Sequence, residues 1–120
     1  MPSPFDPVTF GHGPAMANRF MLAPLTNRQS HADGTLSAEE ERWLTLRAEG
    51  GFGLTMTCAA HVQAVGQGFA GQLGAFADDH IEGLTRLAAG LNATGTVSYA
   101  QLHHAGNRAA ADVTGIQAVC

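Results

Sequence analysis

The stretch Phe52-Gly53-Leu54-Thr55-Met56-Thr57-Cys58-Ala59-Ala60 reads FGLTMTCAA, and its character decides the fold. Apolar residues and threonines follow one another with almost no polar-apolar alternation. A strand with one face in water alternates, whereas a strand covered on both faces of a parallel sheet reads as a near-continuous apolar run. The spacing predicts a buried parallel strand over residues 53–59.

Upstream of it lies a well-marked helix. Ser37 followed by Glu40 has the form of a capping box, and Glu39, Glu40 and Glu41 place negative charge in the first turn. These glutamates are expected to be a solvated turn. Trp43, Leu44, Leu46 and Ala48 supply the apolar stripe, Trp43 as a core residue, and Gly50-Gly51 stop the helix. Further upstream, GHGPAMAN separates two short apolar runs, at residues 8–10 and 19–23. This pattern predicts a hairpin-like entry whose second run joins the sheet and stops at Pro24, which has no N–H for a ladder.

Downstream, a second helix is expected from Asp78 or Asp79, which would cap it. Its apolar face would be Ile81, Leu84, Leu87, Ala88 and Leu91, and Asn92 and Gly95 would end it. TVSYAQL, residues 96–102, has the β-branched and aromatic composition of a third strand. The final stretch carries no firm helix signal. Strand, helix, strand, helix, strand implies parallel strands joined by crossovers, as in a doubly wound sheet or part of a (β/α)8 barrel.

Between the second strand and second helix, Gly66 to Gly71 reads GQGFAG and matches the dinucleotide pattern G-x-G-x-x-G. With 15 glycines in 120 residues, such spacing arises by chance. The true fingerprint is a tight turn that opens a helix, so that phosphate sits on the helix N-terminus. Here QLGAF intervenes before the next helix, so the expectation is a mobile loop in which glycines permit positive φ.

Composition narrows the function. A net charge of −4 with six scattered Lys and Arg gives no basic surface for nucleic acid. No run reaches membrane-spanning length and no signal pattern opens the chain, which points to a cytoplasmic protein. Cys58 and Cys120 form no disulfide framework or C-x-x-C site. His103 and His104 point to opposite faces of a strand and have no completing ligand, so no metal is expected.

Parallel strands finish on one rim, where ligands bind in barrels and open sheets alike. Three ends meet there: Pro24-Leu25-Thr26, Cys58-Ala59-Ala60 and Gln101-Leu102-His103. Pro24 and Leu25 offer an apolar wall, Thr26 a hydroxyl, Ala59 the absence of bulk, and Gln101 an amide that both donates and accepts. That set suits a planar ring with a mixed donor-acceptor edge.

The segments NRFMLAPLTNR, RAEGGFGLTMTCAAHV, DDHIEGLTRLAAGLNATG and YAQLHHAGNR resemble the N-terminal part of the old yellow enzyme family. The likeness spans nearly the whole chain; its most specific parts are A-P-L-T and Q-L-x-H-A-G-x-R. It implies an α/β fold: the N-terminal portion, about three βα units plus an N-terminal hairpin, of a (β/α)8 TIM barrel. It also implies FMN as cofactor, NADH or NADPH as reductant, and an electrophilic alkene or quinone as substrate. On the family's pattern Pro24, Leu25 and Thr26 line the flavin, with the Thr26 hydroxyl toward the C4 carbonyl. Ala59 lets the ring approach and Gln101 bonds the pyrimidine end. Arg28 and His104 fall on the substrate side.

The chain departs from that pattern in places. Cys58-Ala59 replaces the usual Glu-Ala or Glu-Gly, and a buried thiol there packs as a small apolar group. AGNR replaces AGR and shifts Arg108 by one. A (β/α)8 barrel takes about 250 residues, so residues 1–120 are expected to be a partial FMN-binding domain truncated after its third strand. No catalytic residue is then expected within it; the isolated segment would be inactive, and the full-length protein a candidate homo-oligomer. Two other readings are a non-catalytic half-barrel that associates through its open edges and a small doubly wound nucleotide-binding domain.

Overall fold

The computed structural model describes residues 1–118, so Cys120 lies outside the described residues. Strands β1 (Met21–Leu22), β2 (Leu54–His61) and β3 (Val97–His103) form a parallel sheet in the order β1-β2-β3. Helices α1 (Ala38–Glu49) and α2 (Ile81–Ala93) provide the two crossovers. A four-residue helix, α3 (Ala111–Thr114), follows β3 in a stretch that carries no firm helix signal.

The apolar run is the central strand and extends to His61, two residues beyond the expected end. Leu22, Leu36, Leu44, Ala48, Ala60, Leu73, Leu87 and Leu91 form one buried cluster between sheet and helices. Leu44 is wholly buried and Leu91 nearly so. Each such leucine contributes about 1.5–3 kcal/mol by leaving water.

Helix α1 begins as the sequence implies. Ser37 Oγ accepts the Glu40 N–H at 3.1 Å. The return half of the capping box does not form, because the Glu40 side chain turns inward and accepts the Ser30 hydroxyl instead. Glu40 is therefore not part of a solvated turn: it is 0% exposed and shares a stripe with Leu44 and Ala48 at successive i, i+4 positions. Leu46, expected in that stripe, is largely exposed. Trp43 is half-buried against the core, with the Arg47 guanidinium 4.0 Å above its ring. After Gly50, Gly51 takes the left-handed conformation, φ 101°, that ends the helix.

Helix α2 follows a single 3-10 turn, Asp78–His80. Neither aspartate caps it: the N-cap is His80, whose Nδ1 instead accepts the Ala77 N–H at 3.2 Å and closes the preceding 3-10 turn. Leu87 and Leu91 are buried and Leu84 partly so, whereas Ile81 and Ala88 are exposed. At 3.6 residues per turn, residues seven apart share one bearing, and Ile81 and Ala88 lie on the flank of the stripe that meets the sheet.

The expected N-terminal hairpin is reduced to one antiparallel bridge, Val8 to Met16. Asn18 then fastens this entry to β2. Its Oδ1 accepts the N–H groups of Phe20 and Gly53, each at 3.0 Å, and its Nδ2 donates to the Gly51 carbonyl at 2.8 Å.

Candidate functional site

The strand register sets the site. β1 pairs with β2 through Met21–Leu54 and Leu22–Thr55, then leaves the ladder before Pro24. β2 and β3 pair from Leu54–Val97 to Met56–Tyr99, and resume at Ala59–Gln101. Between these points β2 carries one residue more than β3, a bulge that bends the strand and re-aims its side chains. Thr57 repairs the interrupted ladder: its hydroxyl accepts the Gln101 N–H at 3.1 Å and donates to the Cys58 carbonyl at 2.8 Å. Ala59 and Gln101 thereby face each other across adjacent strands at the C-terminal rim.

Pro24 is half-buried, and Leu25 and Thr26 are exposed just beyond β1. Among the described residues, neither the Thr26 hydroxyl nor the Gln101 amide has a hydrogen-bond partner within the chain. Thr26 is exposed and Gln101 partly buried, so both polar ends are open to solvent or to a bound group, Gln101 in register with the methyl-sized Ala59. A flat heterocycle with donor and acceptor atoms on one edge fits this set, and FMN is such a group.

Beneath Pro24–Asn27 lies a buried layer. Cys58 is 2% exposed. Burial, with the neighbouring Glu40 carboxylate adding to it, pushes its thiol up to about 12, against the opposing effect of the Asn27 and Leu25 backbone N–H groups. At that value the sulfur stays a thiol and no nucleophile. Glu40 Oε1, Asn27 Nδ2 and Gln29 Oε1 are buried without partners in the chain.

The glycine segment packs as part of the rim. Gly66, Gln67, Gln72, Leu73 and Gly74 are buried. Gly71 has a positive φ, 72°, but Gly66, Gly68 and Gly74 do not; close approach is their function, in place of the expected freedom of φ. A β-carbon on Gly66 would lie 2.4 Å from the His104 ring, and one on Gly74 2.6 Å from the His80 ring. No helix opens from the segment, since the next helical turn starts at Asp78. The phosphate-cradle geometry is absent there.

Gln72, 1% exposed, joins the rim together. Its Oε1 accepts the Gly68 N–H at 2.8 Å, and its Nε2 reaches the Ala59 carbonyl at 3.1 Å and His103 Nδ1 at 3.0 Å. His61, also buried, lies across the ladder from His103 and donates from Nδ1 to the Leu73 carbonyl at 2.9 Å. Burial holds its pKa below the ordinary value, and the nearby His80 and His103 rings act in the same direction.

Of the two residues expected on the substrate side, His104 has both ring nitrogens engaged. Nε2 donates to Gln63 Oε1 at 3.0 Å and Nδ1 accepts the Gly106 N–H at 3.0 Å. Arg28 is exposed, with its guanidinium 5.9 Å from the Phe69 ring centre. Arg108 lies exposed in the 3-10 turn Gly106–Arg108. Among the described residues no group of three metal-ligating side chains comes together, and no helix is long and apolar enough to cross a membrane.

The profile of the NADH:flavin oxidoreductase / NADH oxidase family matches residues 3–120. The chain is 36% identical over 102 residues to the "Probable NADH-dependent flavin oxidoreductase YqiG" of Bacillus subtilis (strain 168), covering 85% of this chain and 27% of that protein. It is 34% identical over 110 residues to the NADH:acrylate oxidoreductase of Vibrio harveyi, covering 92% of this chain and 11% of that one. The structure of the old yellow enzyme homologue from Zymomonas mobilis superposes with a TM-score of 0.88 at 28% identity, over 97% of this chain and 32% of that one. The chain thus spans less than a third of each of these proteins, and its βα units are those of the N-terminal part of such a barrel. With residues 3–120 matched by the family and 97% of the chain superposed on one of its structures, the chain belongs to the NADH:flavin oxidoreductase / NADH oxidase family, flavin enzymes that use FMN with NADH or NADPH.

Proposed function

We propose that residues 1–120 form the first part of the FMN-binding barrel of an NAD(P)H-dependent ene-reductase, holding one edge of the flavin. The observation that carries this reading is the register that puts Ala59 beside Gln101 at the C-terminal rim of a parallel sheet, with the Gln101 amide and the Thr26 hydroxyl, just beyond β1, making no hydrogen bond within the described residues. When bound, FMN supplies a ring that takes a hydride from NAD(P)H and passes it to the β-carbon of an activated alkene.

The chain's own residues have distinct tasks. Thr26 would donate a hydrogen bond to a carbonyl of the bound ring, and a preplaced donor of that kind favours negative charge there. Gln101 would hold the mixed donor-acceptor edge of that ring with an amide that both donates and accepts. Ala59 admits the ring because it carries only a methyl group, and Pro24 and Leu25 form an apolar wall that excludes water. Arg28 and His104 stand toward the substrate, His104 through a ring already locked by Gln63 and Gly106. The hydride-transfer step needs no side chain from this segment, so the proton donor and carbonyl-activating groups belong elsewhere in the barrel. The acrylate activity in the name of one relative supports an electron-poor alkene as substrate class.

Equilibrium titration with FMN, followed by quenching of flavin fluorescence, tests this reading on the full-length barrel. Thr26→Val and Gln101→Leu should each weaken binding about tenfold, the value of one lost hydrogen bond to a charged or polarised partner. Thr26→Val should also lower the flavin reduction potential. Unchanged affinity and potential in both variants would remove these residues from the flavin site.

A further inference from the structure

We propose that Arg28 is an anion anchor at the mouth of this site and selects alkenes that carry an ionised carboxylate. The inference rests on the flavin-site reading and adds the substrate class to it.

Arg28 is the sole residue other than glycine with a positive φ among the described residues, at 57°. In that region the β-carbon crowds the backbone, so a long side chain rarely occupies it without cause. Its neighbours hold it there. Gly71 packs on the Arg28 carbonyl so closely that a β-carbon would lie 2.5 Å from the oxygen. Ser30 N–H donates to the Gly71 carbonyl at 3.1 Å, and Gln29 N–H donates to Asn27 Oδ1 at 3.2 Å, so the turn is fastened on both sides of Arg28. Gln72, the residue after Gly71, is bonded to the Ala59 carbonyl. The Arg28 backbone is thus tied through Gly71 and Gln72 to the strand end that carries Ala59.

The guanidinium has no acidic partner among the described residues. The one ion pair among the described residues joins Arg86 to Glu41. Instead the Arg28 group lies over the Phe69 ring of the glycine segment, 5.9 Å from its centre. An aromatic face orients a guanidinium and leaves its in-plane N–H fork free. A fork of that shape fits the two oxygens of a carboxylate or of a phosphate. The source assigned here is the substrate carboxylate; a phosphate of the nicotinamide cofactor is the competing source.

The test uses the full-length FMN-loaded enzyme and the matched pair crotonate and crotonamide, with butanoate as an unreactive probe. Arg28→Asn is the central variant, because asparagine tolerates the left-handed backbone and keeps the turn. The ratio of kcat/KM for crotonate over crotonamide should fall at least about tenfold, and butanoate, read by perturbation of the flavin spectrum, should bind about tenfold more weakly. Arg28→Lys should fall between, retaining charge without the fork. An unchanged ratio and unchanged butanoate affinity would overturn the proposal. So would a rise in the NADPH KM with the ratio intact, which would assign the fork to phosphate. If the enzyme takes up no FMN, the flavin-site reading fails; Arg28 is then judged by saturation-transfer NMR of butanoate against butanamide on the flavin-free protein. Loss of the butanoate preference in Arg28→Asn would uphold the anchor, and its persistence would end it.

Discussion

Ser30 donates its hydroxyl to the carboxylate of Glu40, linking the segment that follows β1 to the first turn of α1 at a place where both side chains are buried. The bond lies under Pro24–Asn27, the stretch that supplies one wall of the flavin site, and Cys58 sits beside the same carboxylate. Position of the rim and stability of the core are therefore coupled through one acidic side chain.

Removing the donor should be costly. Ser30→Ala leaves the buried Glu40 carboxyl without its hydroxyl donor, with Oε1 already lacking a partner and only the Cys58 thiol beside it. The expected loss is about 2 kcal/mol, in the range for hydrogen bonds to charged groups. Glu40→Leu extends the apolar stripe of Leu44 and Ala48, so Ser30→Ala combined with Glu40→Leu should cost less than Ser30→Ala alone. Urea unfolding of the single and double variants measures the coupling.

Thr57 offers a test aimed at Gln101. Thr57→Val keeps the shape but deletes the acceptor of the Gln101 N–H at the bulge. The variant should lose about 1–2 kcal/mol of stability and bind FMN more weakly than wild type, because Gln101 loses its backbone anchor. Retained FMN affinity in a destabilised Thr57→Val protein would separate the bulge from the site.

Much of this fold was legible in the sequence because its causes are local. A continuous apolar run marks the central parallel strand, Ser37 marks a helix start, and Pro24 and Gly51 mark ends. The candidate site residues Thr26, Ala59 and Gln101 followed from the rule that parallel strands share a rim, and from family resemblance. The burial of Glu40 is hidden because a run of three glutamates resembles a solvated turn. Yet its spacing, four and eight residues before Leu44 and Ala48, held the signal for burial. Gln72 had no comparable signal: its three partners lie on the glycine segment, β2 and the end of β3, and only the folded chain brings them together. The glycines misled in the same way, since their contacts with His104, Arg28 and His80 are tertiary.

Those contacts rank the glycine substitutions. Gly71→Ala meets two obstacles, a positive φ of 72° and a backbone oxygen 2.5 Å from the new methyl group. Backbone cannot step aside, so the cost should exceed about 2 kcal/mol. Gly66→Ala meets the His104 ring, a side chain that can swing away at the expense of its bond to Gln63. It should destabilise less, and should free the ring: the His104 Nε2 proton should exchange faster by NMR. Equal destabilisation by the two variants would contradict this ordering.

His61 and Cys58 set opposite pH limits on the stability of the barrel. The native state holds His61 neutral, with its pKa below 6.5, mainly because the ring is buried. Below that value the unfolded chain gains a proton that the folded one resists, so stability present above pH 6.5 is lost as pH falls toward the folded value. The native state likewise holds Cys58 protonated, raising it from 9.0 to about 12. Stability from this group is complete below pH 9 and drains away as pH rises toward 12, because the unfolded chain releases the proton first. His61→Gln keeps a donor for the Leu73 carbonyl without a titrating group and should flatten the acid limb alone. Cys58→Ala should flatten only the alkaline limb, at the cost of a small cavity. Denaturant midpoints from pH 4 to pH 11 for the three proteins resolve both limbs; a variant that shifts all midpoints equally at every pH would show that its residue contributes packing and no proton linkage.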